Sequence, residues 1–173
     1  MENNYKTLIT TTEINERIDS LADEITNYYN NEDLVLICIL KGAVYFAIDL
    51  SKKIKNDNLV LDFMRVSSYG SETESSGKIN LKLDVSTVLE GKNVLIVEDI
   101  VDTGYTLAYL KDYLKLKNPK SIKVCVLLDK EERRKVDVDV DYVGFKIPNK
   151  FIFGYGLDMD EKYRNLPYIV YKD

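Results

Sequence analysis

Histidine is absent from all 173 residues. That removes the Ser-His and Cys-His nucleophile arrangements, histidine general bases and most zinc sites, so acid–base chemistry must fall to carboxylates, lysines, tyrosines or cysteines. Cysteine is scarce: Cys38 and Cys125 each sit inside an apolar run, far from a C-x-x-C spacing, and read as reduced core residues. Positive charge is in deficit. Twenty-four Lys and Arg stand against 29 Asp and Glu, a net charge of −5, which argues against nucleic-acid binding through a generally basic surface but allows a local cationic patch for a small phosphorylated ligand. Long apolar stretches are also missing. The longest, Leu34 to Leu40, is too short to span a bilayer and Met1 to Leu8 lacks the apolar segment of a signal peptide, so a cytoplasmic protein without membrane contact is expected.

What remains is a globular composition, 45% hydrophobic and 31% charged, consistent with one domain over 1–173 and a substantial core. Ile14, Ile18, Leu21, Ile25 and Tyr28 recur at helical spacing, with Thr12 as cap and Glu13 and Glu16 near the positive end of the dipole. Leu34 to Leu40 suits a strand covered on both faces. A helix follows from Ala43 to Ile54, then a β-branched and aromatic strand from Leu59 to Val66. Ser67 to Lys78, rich in Ser, Gly and Glu, reads as an exposed loop with the composition of a lid. Ile79, Leu81, Leu83 and Val85 alternate as in a half-exposed strand, and a turn at Gly91 to Asn93 precedes the buried strand Val94 to Val97. Leu107, Leu110 and Leu114 mark a helix from Thr106 to Leu116, and Ile122 to Leu128 is another buried strand. Val136, Val138 and Val140, alternating with Asp137, Asp139 and Asp141, suggest a strand with one wet face rather than a calcium loop, whose required glycine is here Tyr142. The tail from Tyr142 to Asp173 is expected to pack as a hood. There is no internal repeat or interdomain linker, and the alternation predicts an α/β fold with a mainly parallel central sheet flanked by helices.

Ligands in such folds sit at the carboxyl ends of strands, which directs attention to Lys41-Gly42, Glu98 to Thr106 and Asp129-Lys130. Glu98 and Asp99 lie where a hydrophobic strand gives way to a turn, and Asp102 follows just before Thr103, Gly104, Tyr105 and Thr106. A short glycine-containing turn opening a helix points N–H groups and the dipole's positive end at an anion, with Thr103 and Thr106 as hydroxyl donors. Carboxylates cannot hold that anion. Their natural targets are sugar hydroxyls, a divalent metal, or positive charge developing in a transition state. A phosphate, a ribose diol and a cationic carbon together describe a phosphoribosyl group. The Asp-Thr-Gly triplet also marks aspartic proteases, but those are all-β and need two such aspartates. The acidic strand end resembles that of a response-regulator receiver, yet lies too deep in the chain.

The run VLIVEDIVDTGYT, Val94 to Thr106, resembles the phosphoribosyl pyrophosphate (PRPP) signature of type I phosphoribosyltransferases. Leu40-Lys41-Gly42, Ser68-Tyr69, Leu127 to Lys130, Val143 to Pro148, Lys150-Phe151, Gly154 to Asp158 and Arg164 follow the order of the hypoxanthine-guanine branch, so nearly the whole chain is covered. The resemblance implies the type I fold, with a small C-terminal/N-terminal hood over the purine site, and transfer of ribose 5-phosphate from PRPP to N9 of a 6-oxopurine, with magnesium. It implies that Glu98 and Asp99 hold the ribose hydroxyls, that Asp102 acts at purine N7, and that Thr103 to Thr106 bind the 5-phosphate. Lys41, Gly42 and Arg164 would attend the pyrophosphate, with magnesium near Glu98, Asp99 and Asp158. Lys130 would meet purine O6, Phe151 would stack on the ring, the backbone of Ile152 and Asp158 would read its edge, and Ser68 and Tyr69 would open the flexible loop. Tyr105 departs from relatives with a basic residue there, which places more of the phosphate's binding on backbone donors. A homodimer or homotetramer acting on small molecules is implied. A xanthine-preferring enzyme and a non-catalytic PRPP-binding regulator are the alternatives; Asp102, Lys41 and the loop speak against the second.

Overall fold

The computed structural model describes residues 5–68 and 79–172. Leu34 to Leu40 is the central strand that its apolar run predicts. Leu34, Leu36 and Cys38 face one core while Val35, Ile37 and Ile39 face another, so period-2 alternation buries both sides. In chain order the elements are β1 (Lys6–Ile9), α1 (Thr11–Tyr29), β2 (Leu34–Leu40), α2 (Val44–Lys53), β3 (Leu59–Ser68), β4 (Ile79–Leu83), β5 (Asn93–Val101), α3 (Tyr105–Lys115), β6 (Ser121–Asp129), a 3-10 turn (Glu131–Arg133), β7 (Tyr142–Lys146), β8 (Phe151–Phe153) and β9 (Ile169–Lys172). The main sheet runs β4-β3-β2-β5-β6-β7, parallel throughout except for β4 against β3. Ile14, Ile18, Leu21 and Ile25 of α1 and Phe46 and Leu50 of α2 cover one face; Leu107, Leu110 and Leu114 of α3 cover the other. Cys38 and Cys125 are free and buried in the first of these cores, and burial pushes the Cys38 thiol up to about 12.

Because β3 lies on one side of β2 and β5 on the other, the chain reverses direction between them. The carboxyl ends of β2 and β5 therefore flank the topological switch point, where α/β sheets open a crevice.

Several local expectations are corrected. The cap of α1 is Thr10, not Thr12: Thr10 Oγ1 accepts the Glu13 N–H, and a Glu13 carboxylate oxygen accepts the Thr10 N–H at 2.8 Å. Three successive threonines compete for the cap, and only Thr10 has a glutamate three positions on. Thr10→Ala should lower stability by about 1 kcal/mol in urea unfolding, whereas Thr12→Ala should change it little. The helix buries Tyr29 at 2% exposure and leaves Tyr28 at 58%, since Tyr29 lies four residues after Ile25. Ser67 and Ser68 belong to β3, and the rest of the expected lid, Tyr69 to Lys78, lies outside the described residues. Val85 falls beyond β4.

The segment 136–141 is not a strand, although its valines are half-buried and its aspartates exposed. Pairing with β6 begins only at Tyr142, opposite Cys125, because the N–H groups of Lys135 and Val136 donate to Thr103 O at 3.0 and 3.2 Å instead of to a ladder. The hood also starts later than expected. β7 joins the main sheet, and the small antiparallel sheet is β1-β9-β8, built from both ends of the chain. It is fastened to the body by Thr11 Oγ1 donating to Pro167 O at 2.8 Å and by Tyr155 O–H donating to Asp49 Oδ2 at 2.7 Å.

Candidate active site

The strand that bears the acids is longer than its apolar run. β5 continues through Glu98 and Asp99 to Val101, with Glu98 opposite Val126 and Ile100 opposite Leu128 of β6, so both carboxylates are carried on a held strand. The Asp99 N–H donates to Glu98 Oε1 at 3.1 Å and the Ile100 N–H to Asp99 Oδ1 at 2.7 Å. Burial, and next the charge of Asp99, push the Glu98 carboxyl well above its ordinary range. Burial also raises Asp99, against a side-chain hydrogen bond with Glu98, the Ile100 N–H and the charge of Arg164. Two like charges on one buried strand end favour holding a proton between them until a cation or hydroxyl donors arrive.

That arrangement has a consequence for stability. With its folded-state value raised, Glu98 holds its proton more tightly in the native chain than in the unfolded one. Its contribution is fully present below the unfolded value and is lost as pH rises through the folded value. Glu98→Gln should therefore raise the urea midpoint at about pH 8, with the difference shrinking towards about pH 4. A variant less stable than the parent at the higher pH would contradict this.

Asp99 reaches under the turn at the end of β2. A Cβ on Gly42 would lie 1.6 Å from Asp99 Oδ2, and a Cβ on Gly156 would lie 2.0 Å from Gly42 O, so the three residues close over one another only with glycine at both positions. The Leu40–Lys41 peptide is cis. Beyond the turn, Lys41 Nζ is 2.7 Å from Glu161 Oε2. Arg164 donates from Nη1 to Gly156 O at 2.8 Å, and its Nη2 lies 2.8 Å from Asp158 Oδ1 and 3.4 Å from Glu161 Oε1. Its Nε is buried without a hydrogen bond. Lys41, remote in sequence, is thus brought to one rim with Asp158 and Arg164.

On the other side of β5, Gly104 at φ +89° turns the chain into α3, leaving Tyr105 and Thr106 in the first helical turn. Glu98, Asp102, Thr103, Gly104 and Thr106 help to line a hollow of ≈ 90 Å³ where β5 gives way to α3. The turn is braced from β6. Arg134 donates to Asp102 O at 3.3 Å and pairs with the buried Asp129, and a Cβ on Gly104 would come within 2.9 Å of the Arg134 side chain. Asp102 Oδ1 is buried and 2.7 Å from Arg133 Nε, near enough for an ion pair without hydrogen-bond alignment.

Lys130 follows β6 and is 8% exposed, with Nζ donating to Lys150 O at 2.8 Å. Burial lowers its pKa and the charge of Asp102 acts to raise it. Lys150 leads directly into β8, where Phe151 is 54% exposed, a large aromatic beside Lys130's anchor, while Ile152 is buried opposite Tyr171 of β9. Arg133, Arg134 and Glu161 escaped the sequence reading. The signal was there in part: two arginines follow Asp129-Lys130 closely, and Glu161 lies between Asp158 and Arg164.

The acids do not form a ready-made metal cage. Among the described residues no three acidic, cysteine or histidine side chains are grouped so as to hold an ion, so Glu98, Asp99 and Asp158 are not a three-ligand set. A carboxylate pair, Glu98 buried and Asp99 half-buried, and a single separate aspartate instead suit a hard cation that completes its shell with water and substrate oxygens, the habit of magnesium.

Comparison with known proteins agrees with this arrangement. Residues 5–160 match the phosphoribosyl transferase domain family. The hypoxanthine-guanine phosphoribosyltransferase of Dictyostelium discoideum is 50% identical over 165 residues, covering 94% of this chain and 92% of that protein. The bifunctional protein TilS/HprT of Listeria monocytogenes is 47% identical over 95% of this chain, which spans only a quarter of that longer protein. A crystal structure of a hypoxanthine-guanine phosphoribosyltransferase from Bacillus anthracis superposes with a TM-score of 0.93 at 49% identity, covering 97% of this chain and 98% of that one. With the acid-bearing β5, the glycine turn into α3 and the small second sheet all in one frame, the chain has the type I phosphoribosyltransferase fold and belongs to the hypoxanthine-guanine phosphoribosyltransferase family.

Proposed function

We propose that the chain transfers the 5-phosphoribosyl group from PRPP to N9 of hypoxanthine or guanine, giving the nucleoside monophosphate and pyrophosphate. One observation carries the reading: the acids of β5 run into the glycine turn and its hollow, and the buried Lys130, whose N–H donates to Val101 O at 3.0 Å, lies beside them next to an exposed aromatic. The 5-phosphate would sit against the N–H groups and hydroxyls of Thr103 to Thr106. Glu98 and Asp99 would accept from the ribose hydroxyls and stabilise the oxocarbenium character that develops as the bond from C1′ to pyrophosphate breaks. As the new bond from N9 to C1′ forms, Asp102 would accept the proton leaving N7. Lys130, which only donates, would favour a 6-oxo over a 6-amino group, with Phe151 stacked on the ring and the backbone at Ile152 and Asp158 along its edge.

Lys41 and Arg164 would bind the departing pyrophosphate above the Gly42 turn. Magnesium, held by Asp158 or the Glu98–Asp99 pair together with substrate oxygens, would neutralise charge on the leaving group. The proposal includes a cytoplasmic homodimer or homotetramer of one-domain chains acting on small molecules, with no nucleic-acid or membrane partner. No helix among the described residues is long and apolar enough to cross a membrane.

Pyrophosphate release with PRPP and magnesium, assayed separately with hypoxanthine, guanine, xanthine and adenine, tests the reading. Turnover with the first two and none with adenine is expected. Preference for xanthine would replace the substrate assignment, and no release with any base would favour a binding protein.

A further inference from the structure

We infer that Glu161 is a built-in occupant of the pyrophosphate subsite, an internal anion that bridges Lys41 and Arg164 and must be displaced when pyrophosphate or the pyrophosphoryl end of PRPP binds. This rests on the proposed assignment of those two cations to pyrophosphate. One carboxylate serves both: Oε2 is 2.7 Å from Lys41 Nζ and Oε1 is 3.4 Å from Arg164 Nη2. Anionic oxygens spread over two cations are the same pattern that a diphosphate would offer. Glu161 is also the sole ion-pair partner of Lys41 among the described residues, whereas Arg164 keeps Asp158 and the Gly156 carbonyl when Glu161 leaves.

The backbone that presents Glu161 is unusual. Asp160, Glu161 and Tyr163 have φ of 54°, 62° and 67°, the left-handed region that non-glycine residues seldom occupy and that persists only where its surroundings hold it. Here Met159 and Lys162 exchange backbone hydrogen bonds at 3.1 Å, and the Glu161 N–H donates to Asp158 Oδ2 at 2.9 Å. The loop is thus fastened at its base while the Glu161 side chain remains 67% exposed. A change of rotamer alone can lift the carboxylate off both cations, and the same movement in reverse competes with pyrophosphate for them, which favours product release. The two cations hold the Glu161 carboxyl below its ordinary range, Lys41 foremost, so it is an anion at neutral pH.

The test is equilibrium binding of magnesium pyrophosphate, read beside binding of the nucleoside monophosphate. Exposed ion pairs are individually weak, so Glu161→Gln is expected to tighten pyrophosphate binding and lower its inhibition constant by about two- to tenfold, with nucleotide affinity unchanged. In a Lys41→Gln background the same substitution should give little gain. If folded Glu161→Gln binds pyrophosphate no better than the parent, the inference is overturned while the subsite assignment stands. If Lys41→Gln and Arg164→Gln each leave pyrophosphate binding at the parent's level, it is the subsite assignment that fails, and Glu161's role with it.

Discussion

Asp102→Asn should reduce kcat by roughly 10²- to 10⁴-fold, the usual worth of a positioned general base, while KM for PRPP moves far less. Asparagine keeps the shape of the side chain, so the turn from Asp102 to Thr106 should hold its path. Its anchors are backbone carbonyls: Arg134 donates to Asp102 O, and Lys135 and Val136 donate to Thr103 O. What is lost is an acceptor for the N7 proton. Asp102 is suited to that task because Oδ1 is buried and faces Arg133 at 2.7 Å without forming a hydrogen bond, so the oxygen is positioned but not engaged. The charge removed also acts on Lys130, whose pKa should fall further once only burial and the charge of Arg133 remain, both of which lower it. Steady-state kinetics with each substrate varied in turn decide the matter. An equal loss in kcat and in PRPP affinity would show that Asp102 binds substrate rather than acting on the transition state.

A methyl group added at Gly42 should be almost as damaging, with kcat/KM for PRPP lowered by about 10²-fold or more, the scale expected for displacing reacting groups by an ångström. The Gly42→Ala methyl would overlap Asp99 Oδ2 at 1.6 Å, and neither partner can yield easily. Asp99 is held by the Ile100 N–H at 2.7 Å, and Gly42 is backed by Gly156, which approaches its carbonyl too closely to tolerate a Cβ. Stability should fall by about 1–3 kcal/mol, as in other overpacked sites. Urea unfolding together with kinetics separates the two losses. Near-parental activity in Gly42→Ala would mean that the position of Asp99 does not govern the reaction.

Much of the site was legible because its chemistry is local. Glu98, Asp99, Asp102 and the turn to Thr106 fall within nine consecutive residues, and a buried strand running into acids and then a glycine turn carries its meaning in that order alone. The contacts that tune it were not legible. Glu161 on Lys41 spans 120 positions of sequence, and Lys130 on the Lys150 carbonyl spans 20. Nor could periodicity say where backbone hydrogen bonds go. Val136 to Asp141 alternates as a strand would, but the N–H of Val136, and that of Lys135 just before it, are taken by Thr103 O. The same limit misplaced the end of β5, since sheet pairing carries polar Glu98 and Asp99 as readily as apolar residues once β6 lies alongside.

Amino-acid order alone determined the α/β alternation, the doubly buried β2 and the identity of the acids, because side-chain periodicity and turn chemistry act over a few residues. Tertiary structure alone decided which strands neighbour one another, and therefore that Lys41, Asp99 and Arg164 meet at one rim. It also decided that Gly42 and Gly156 must be bare and that Glu161 lies across the two cations. The physical reason is distance along the chain: a sheet register or a carboxylate shared by remote cations exists only after the core has brought the strand ends together.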